Sequence, residues 1–150
     1  MIDIESLVFD TVYNSLHQTY PSVNITAGYD EKTATFPTVV VRETGNVPVQ
    51  QFNTDDCAEN YARLTYEIEV YSDKLNIGRS ECKELLDAVD GIMQGMKFRR
   101  IHKNRPINTD RTVWRQYARY EVIVGKGITT TTGEGQEAVT TTVYQMYRRT

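Results

Sequence analysis

Two groupings of carboxylates are the first residues in this sequence whose types could do chemistry. Asp55-Asp56 precede a stretch carrying Glu67 and Glu69, and metal-dependent nucleases use such carboxylates, with a lysine nearby, to hold an ion and position water. Position 69 is acidic where an E-x-K pattern would need lysine, so Glu67 and Glu69 read as a solvated or subunit-facing edge of a sheet. His17 and His102 are the only histidines, and neither lies in H-E-x-x-H or another paired metal spacing. Gly78-Arg79-Ser80-Glu81-Cys82 begins like a nucleophile elbow but lacks its second glycine, so Ser80 reads as a helix-start residue. Gly125-Lys126-Gly127 lacks phosphate-loop spacing and reads as a turn. Asn24-Ile25-Thr26 matches a glycosylation sequon but follows no secretory signal. The expectation is a protein that is not an enzyme, with no catalytic residue, no metal site and no cofactor.

Electrostatic contacts are the other chemistry available. Lys97, Arg99, Arg100, His102, Lys103 and Arg105 form one basic concentration. It could meet nucleic acid, or form a solvated strand and turn, or pair with acidic faces of neighbouring chains. Aromatic side chains do not alternate with these charges to make a stacking platform, which favours the latter two. Arg115 and Arg119 alternate along one predicted strand as Glu67 and Glu69 do along another. Charges at matched spacing can pair within a sheet or across an interface, and both remain open at this level.

The elements that must carry these residues follow from periodicity. Ile4, Leu7, Val8, Val12, Leu16 and Tyr20 recur at helical spacing over residues 3–19, Asp3 can cap, and Glu5, Asp10, Asn14 and Gln18 fall opposite. Residues 36–42 are β-branched and read as a strand, with a further short strand near 23–27. Residues 61–71 alternate strictly, with Ala62, Leu64, Tyr66, Ile68 and Val70 on one face. Between these strands, residues 44–60 read as a long loop holding Val47, Val49 and Phe52. Cys82, Leu85, Leu86, Val89, Met93 and Met96 mark a second helix over 78–94, with Gly95 as its stop. Strands are expected at 97–103 and 111–124, and a glycine-flanked threonine run leads to a strand-prone stretch at 138–147.

The predicted fold is α+β: a mostly antiparallel sheet with two helices packed on one face and an extended C-terminal arm. Residues 1–125 would form the core domain and 126–150 an arm or extra strand. Val139, Val143 and Met146 of that arm, with Val47, Val49 and Phe52 of the loop, are the candidate interface residues. The arm either adds to a neighbour's sheet edge or folds back as a hairpin on its own sheet.

Bulk properties narrow the class. A chain of 150 residues with 39% hydrophobic and 25% charged residues and a net charge of -3 fits one soluble globular domain. The mildly acidic balance argues against general nucleic-acid affinity. Two cysteines, Cys57 and Cys82, fit free thiols in a reducing compartment. The acidic start and the absence of a long apolar run predict neither a secretory signal nor a membrane span, hence synthesis in the cytoplasm.

The succession of an amphipathic first helix, Phe36-Pro37-Thr38-Val39-Val40-Val41, Tyr66-Glu67-Ile68-Glu69-Val70-Tyr71-Ser72-Asp73, the helix with Cys82-Lys83-Glu84-Leu85-Leu86 and the arginine-rich closing strands resembles the tail-terminator (tail-to-head joining) proteins of long-tailed bacteriophages. The resemblance covers roughly residues 1–125 and is a pattern of elements, so no functional residue transfers by position. It implies a virion protein forming a homo-oligomeric ring, commonly hexameric, on the end of the tail tube. Its partners would be the tail-tube protein and the head-tail connector, with DNA passing through the lumen without specific binding. Alternatives in view are another connector component (adaptor, stopper or head-closure protein), a nucleic-acid-binding module, and a small hydrolase or nuclease.

Overall fold

A computed structural model describes residues 1–28, 35–50, 59–104, 112–132 and 139–147, with the backbone alone for 128–132 and 139–141. Helix α1 (Glu5–Thr19) buries Val8, Val12 and Leu16, a four-residue repeat that keeps one line of side chains toward the core. Asp3 Oδ1 accepts the Glu5 N–H at 2.9 Å at its start. Leu7, expected on the buried stripe, is 44% exposed. It lies about 100° around the helix from Val8, outside the narrow strip that the sheet covers.

Helix α2 (Gly78–Gly95) buries Cys82, Leu85, Leu86, Val89 and Met93, as its periodicity predicts. Gly78 is where the helix meets Trp114: a Cβ there would stand 2.3 Å from the indole Cδ1. The expected stop at Gly95 falls two residues later. Lys97 takes the left-handed conformation (φ 72°), its N–H bonds to Gln94 O, and the Phe98 N–H bonds to Met93 O. These two bonds make a Schellman cap, with Phe98 and Met93 both fully buried beneath it.

Strands β1 (Asn24–Thr26), β2 (Thr38–Pro48), β3 (Tyr61–Ser72), β4 (Arg99–Asn104), β5 (Trp114–Thr132) and β6 (Val139–Tyr147) form one six-stranded sheet. Its order is β1-β2-β3-β5-β4, with β6 also on β5. All pairings are antiparallel except β1 with β2. The chain is α+β, with a mostly antiparallel sheet.

Both helices contribute to one core cluster with Val39 and Val41 of β2, the even-numbered residues 62–70 of β3 and 118–124 of β5, and Phe98. Helix α1 packs beside β2, and α2 covers β3, β5 and β4. Among the described residues no helix packs on the opposite face of the sheet. Tyr66 and Tyr120, fully buried, sit in the core layer and keep their hydroxyls bonded to Glu43 and Asp90, each at 3.0 Å.

Three expected boundaries move. β2 continues through Val47 to Pro48, so the 44–60 loop shortens, and residues 51–58 of it lie outside the described residues. The strand expected from Lys97 begins at Arg99, because the helix cap uses Lys97 and the core uses Phe98. β5 does not end near Val124 but runs through the glycines and threonines to Thr132, with β6 folded back on it. The C-terminal stretch is therefore the second strand of a hairpin with its own β5.

Candidate functional site

The face of the sheet turned away from the helices carries four of the charged residues singled out in the sequence, Glu67, Glu69, Arg115 and Arg119. Strand periodicity sends Arg63, Glu67, Glu69 and Tyr71 of β3 and Arg115, Tyr117, Arg119 and Ile123 of β5 to this side. The register aligns Arg42, Glu67 and Arg119 in one row across three strands. Glu67 and Glu69 are 4% and 5% exposed although they lie on the outer face. They were expected on a solvated or subunit-facing edge; instead β3 is central in the sheet and arginine side chains cover them. Arg42 Nη2 reaches both carboxylates, and Arg119 Nε donates to Glu67 at 2.8 Å. Arg115 Nη2 donates to Glu69 at 2.9 Å, and the Tyr71 hydroxyl also donates to Glu69.

The charge alternation of β3 and β5 is thus paired within the sheet, the first of the two alternatives that spacing leaves open. Burial alone would push the Glu67 carboxyl up; hydrogen bonds from Arg42 and Arg119, with Glu69 alongside, outweigh it and hold the carboxyl at about 2. Arg115 lies over the Tyr71 and Tyr117 rings at 5.8 and 5.6 Å, and Arg119 over Tyr117 at 5.8 Å. The result has two levels. Carboxylates lie beneath with side chains 5–7% exposed, and guanidinium groups lie above, 47% exposed for Arg42, 33% for Arg115 and 50% for Arg119. Each arginine is anchored through part of its fork, which leaves half-exposed Arg42 and Arg119 with N–H groups for an external acceptor, whereas Arg115 Nε is buried without a partner among the described residues.

A second row on the same face is apolar apart from Arg63, which pairs with Glu121 at 3.2 Å. Val47, Arg63, Ile123 and Tyr147 are register partners across β2, β3, β5 and β6. Val47 is 57% exposed and Tyr147 44%, with the Tyr147 ring 6.0 Å from that of Tyr61. Val143, two steps along β6 from Gln145, is 59% exposed.

The remaining expected site residues scatter. Val49 follows β2, half-buried, with its N–H on Tyr61 O at 2.8 Å. Phe52 and Arg105 lie outside the described residues. Val139 pairs with Thr132 at the far end of β6. Met146 turns inward, pairing with Val124 and packing on the core with Tyr144. Lys97 is exposed in the helix cap, and Arg99 is exposed on β4 opposite Glu121. Arg100 pairs with Asp90 at 2.8 Å and Lys103 with Asp87 at 3.5 Å, so part of the basic strand is matched by α2 of the same chain.

The other chemically capable side chains do not converge. His17 Nε2 lies 2.7 Å from Val23 O, while His102 on β4 stands beside Tyr117. Burial pushes the Cys82 thiol up to about 12, which suppresses the thiolate. Among the described residues no three His, Cys, Asp or Glu are grouped to hold a metal ion. Among the described residues no helix is long and apolar enough to cross a membrane.

Sequence reasoning missed Arg42, Tyr71 and Tyr117. The signal for Tyr71 and Tyr117 was period two itself, which puts them on the same side as Glu69 and Arg115. Comparison with protein-family models and with curated proteins gives no match.

Proposed function

We propose that this chain is a structural subunit of a long-tailed bacteriophage: a tail terminator that assembles as a ring at the head-tail junction and joins tail to head. The observation that carries the reading is a small α+β domain whose sheet, among the described residues, is covered by helices on one face only. Its second face offers arginine, tyrosine and exposed valine, the residue types that fill protein interfaces. The β5–β6 hairpin adds support. β3 pairs with β5 only as far as Gly125, and residues 128–132 pair with β6 alone among the described residues. A two-stranded ribbon reaching past its sheet is marginal by itself and gains from a neighbour.

In this role the protein works by shape: one surface matches the last tube ring, and another refuses a further one. The connector protein is then met by the remaining end of the ring, and DNA passes through the lumen. Electron microscopy of the purified protein, alone and mixed with polymerising tail-tube protein of its phage, tests this. Closed rings and capped tubes of limited length are expected. Chains that neither form rings nor arrest tube growth would sink it.

A further inference from the structure

The chain has no lysine or arginine before Lys32, whereas Asp3, Glu5 and Asp10 fall within its first ten residues. These three carboxylates are exposed on and just before α1, next to Leu7 (44% exposed) and Tyr13 (42%). Helical spacing places Leu7, Asp10 and Asn14 along one outward stripe, with Asp3 exposed just before the helix start. The first element therefore turns Leu7 and Asp10 away from its own core on one stripe, with Asp3 before it and Tyr13 exposed on the adjoining flank. The open sheet face is the opposite: its carboxylates are buried, its outer level is guanidinium and tyrosine, and Val47 and Tyr147 stand beside it.

Neither surface matches itself, since outward guanidinium groups meet no outward carboxylate on a like sheet face, and an outward carboxylate meets no cation on a like helix. Each matches the other in charge and in having exposed apolar anchors. We propose that the open sheet face receives the outer stripe of α1 from a second copy of this chain, in a head-to-tail contact. Such a contact is heterologous, so it repeats from subunit to subunit and closes into a ring when its rotation allows. It also supplies the missing layer, giving the sheet a helix on each face. The arginines suit the task because Glu67 and Glu69 fix their orientation before contact, leaving less side-chain freedom to lose on binding. This inference rests on the ring-forming reading above and assigns its interface.

Two variants made at exposed positions test it. A helix variant, Leu7→Ser with Asp10→Ser, removes the anchor and charge from α1. A sheet variant, Val47→Asp with Val143→Asp, sets carboxylates on the receiving face. Each alone is expected to self-associate at least tenfold more weakly than the unaltered chain by light scattering, with an unchanged melting temperature. Mixed together they are expected to give a one-to-one heterodimer and nothing larger, because one sheet face and one helix remain intact between them. A further variant, Arg119→Gln with Glu67→Gln, removes a guanidinium without orphaning its carboxylate and is expected to weaken association several-fold. Rings that form undiminished in the variants would overturn this interface while leaving the ring reading in place. A chain that stays monomeric at its highest soluble concentration and on tube ends would overturn both. Loss of affinity for duplex DNA in the Arg119 variant, with self-association intact, would assign the face to nucleic acid and overturn the proposal.

Discussion

At the scale of single residues, two positions make the physics of this fold measurable. Glu67 is held at about 2, below its ordinary 4.5, because Arg42 and Arg119 outweigh the effect of burial. With the folded value below the unfolded one, its contribution is complete above about pH 4.5 and is lost as pH falls through about 2. Glu67→Gln is expected to cost about 2 kcal/mol at neutral pH, since the half-exposed arginines can turn to water once the charge is gone. It should also flatten the stability curve between those two pH values, read by urea unfolding of the single Trp114 fluorophore. Equal acid sensitivity in the two proteins would contradict the network. Lys97 is the second position. Its left-handed backbone strains a side chain that glycine lacks, so Lys97→Gly is expected to stabilise by about 0.5–1 kcal/mol. A decrease in thermal midpoint would mean that the lysine makes a contact worth more than the strain.

At the scale of elements, the hairpin divides into two parts with different roles. Ile123, Val124 and Gly125 pair with residues 145–147, and Tyr144 and Met146 pack on the core. Cutting the chain after Gly127 therefore strips partners from a central strand and exposes core surface, and a fall of several degrees in melting temperature is expected. The outer ribbon pairs with no third strand among the described residues. Replacing residues 129–142 by Asn-Gly, the preferred two-residue turn, is expected to leave the melting temperature within a few degrees. Under the ring reading the same shortened chain assembles or attaches to tubes poorly. If truncation costs no stability, β6 does not belong to this sheet in solution; if shortening leaves assembly intact, the ribbon has no partner.

At the scale of the whole molecule, the start of the chain carries acid without any Lys or Arg before Lys32, while the sheet face holds its guanidinium groups outermost. Self-association through these surfaces should weaken as salt rises from 0.1 to 1 M, where the screening length falls from about 10 to about 3 Å. Sedimentation at the two salt concentrations reads this directly, and association that strengthens with salt would mark an apolar interface instead. Much of this architecture was legible in the sequence. The alternation of Ala62 to Val70, the repeat of Cys82 to Met93 and the two-helix α+β plan follow from local periodicity, since burying one face requires one spacing. Local pattern also fixed which side of β3 carries Glu67 and Glu69. It could not fix what lies across from them: the nearest cations, Arg42, Arg115 and Arg119, are 25 to 52 residues away and are brought there by strand register alone. The same limit hid the path of the C-terminal stretch. Thr129 to Thr132 have strand propensity wherever they are placed, and only the partners offered by the folded sheet decide whether they pair with their own chain. The sequence by itself determined faces and periods, which depend on neighbours in the chain. The tertiary structure decided pairings, because a buried carboxylate and its guanidinium meet only after the strands between them have taken their register.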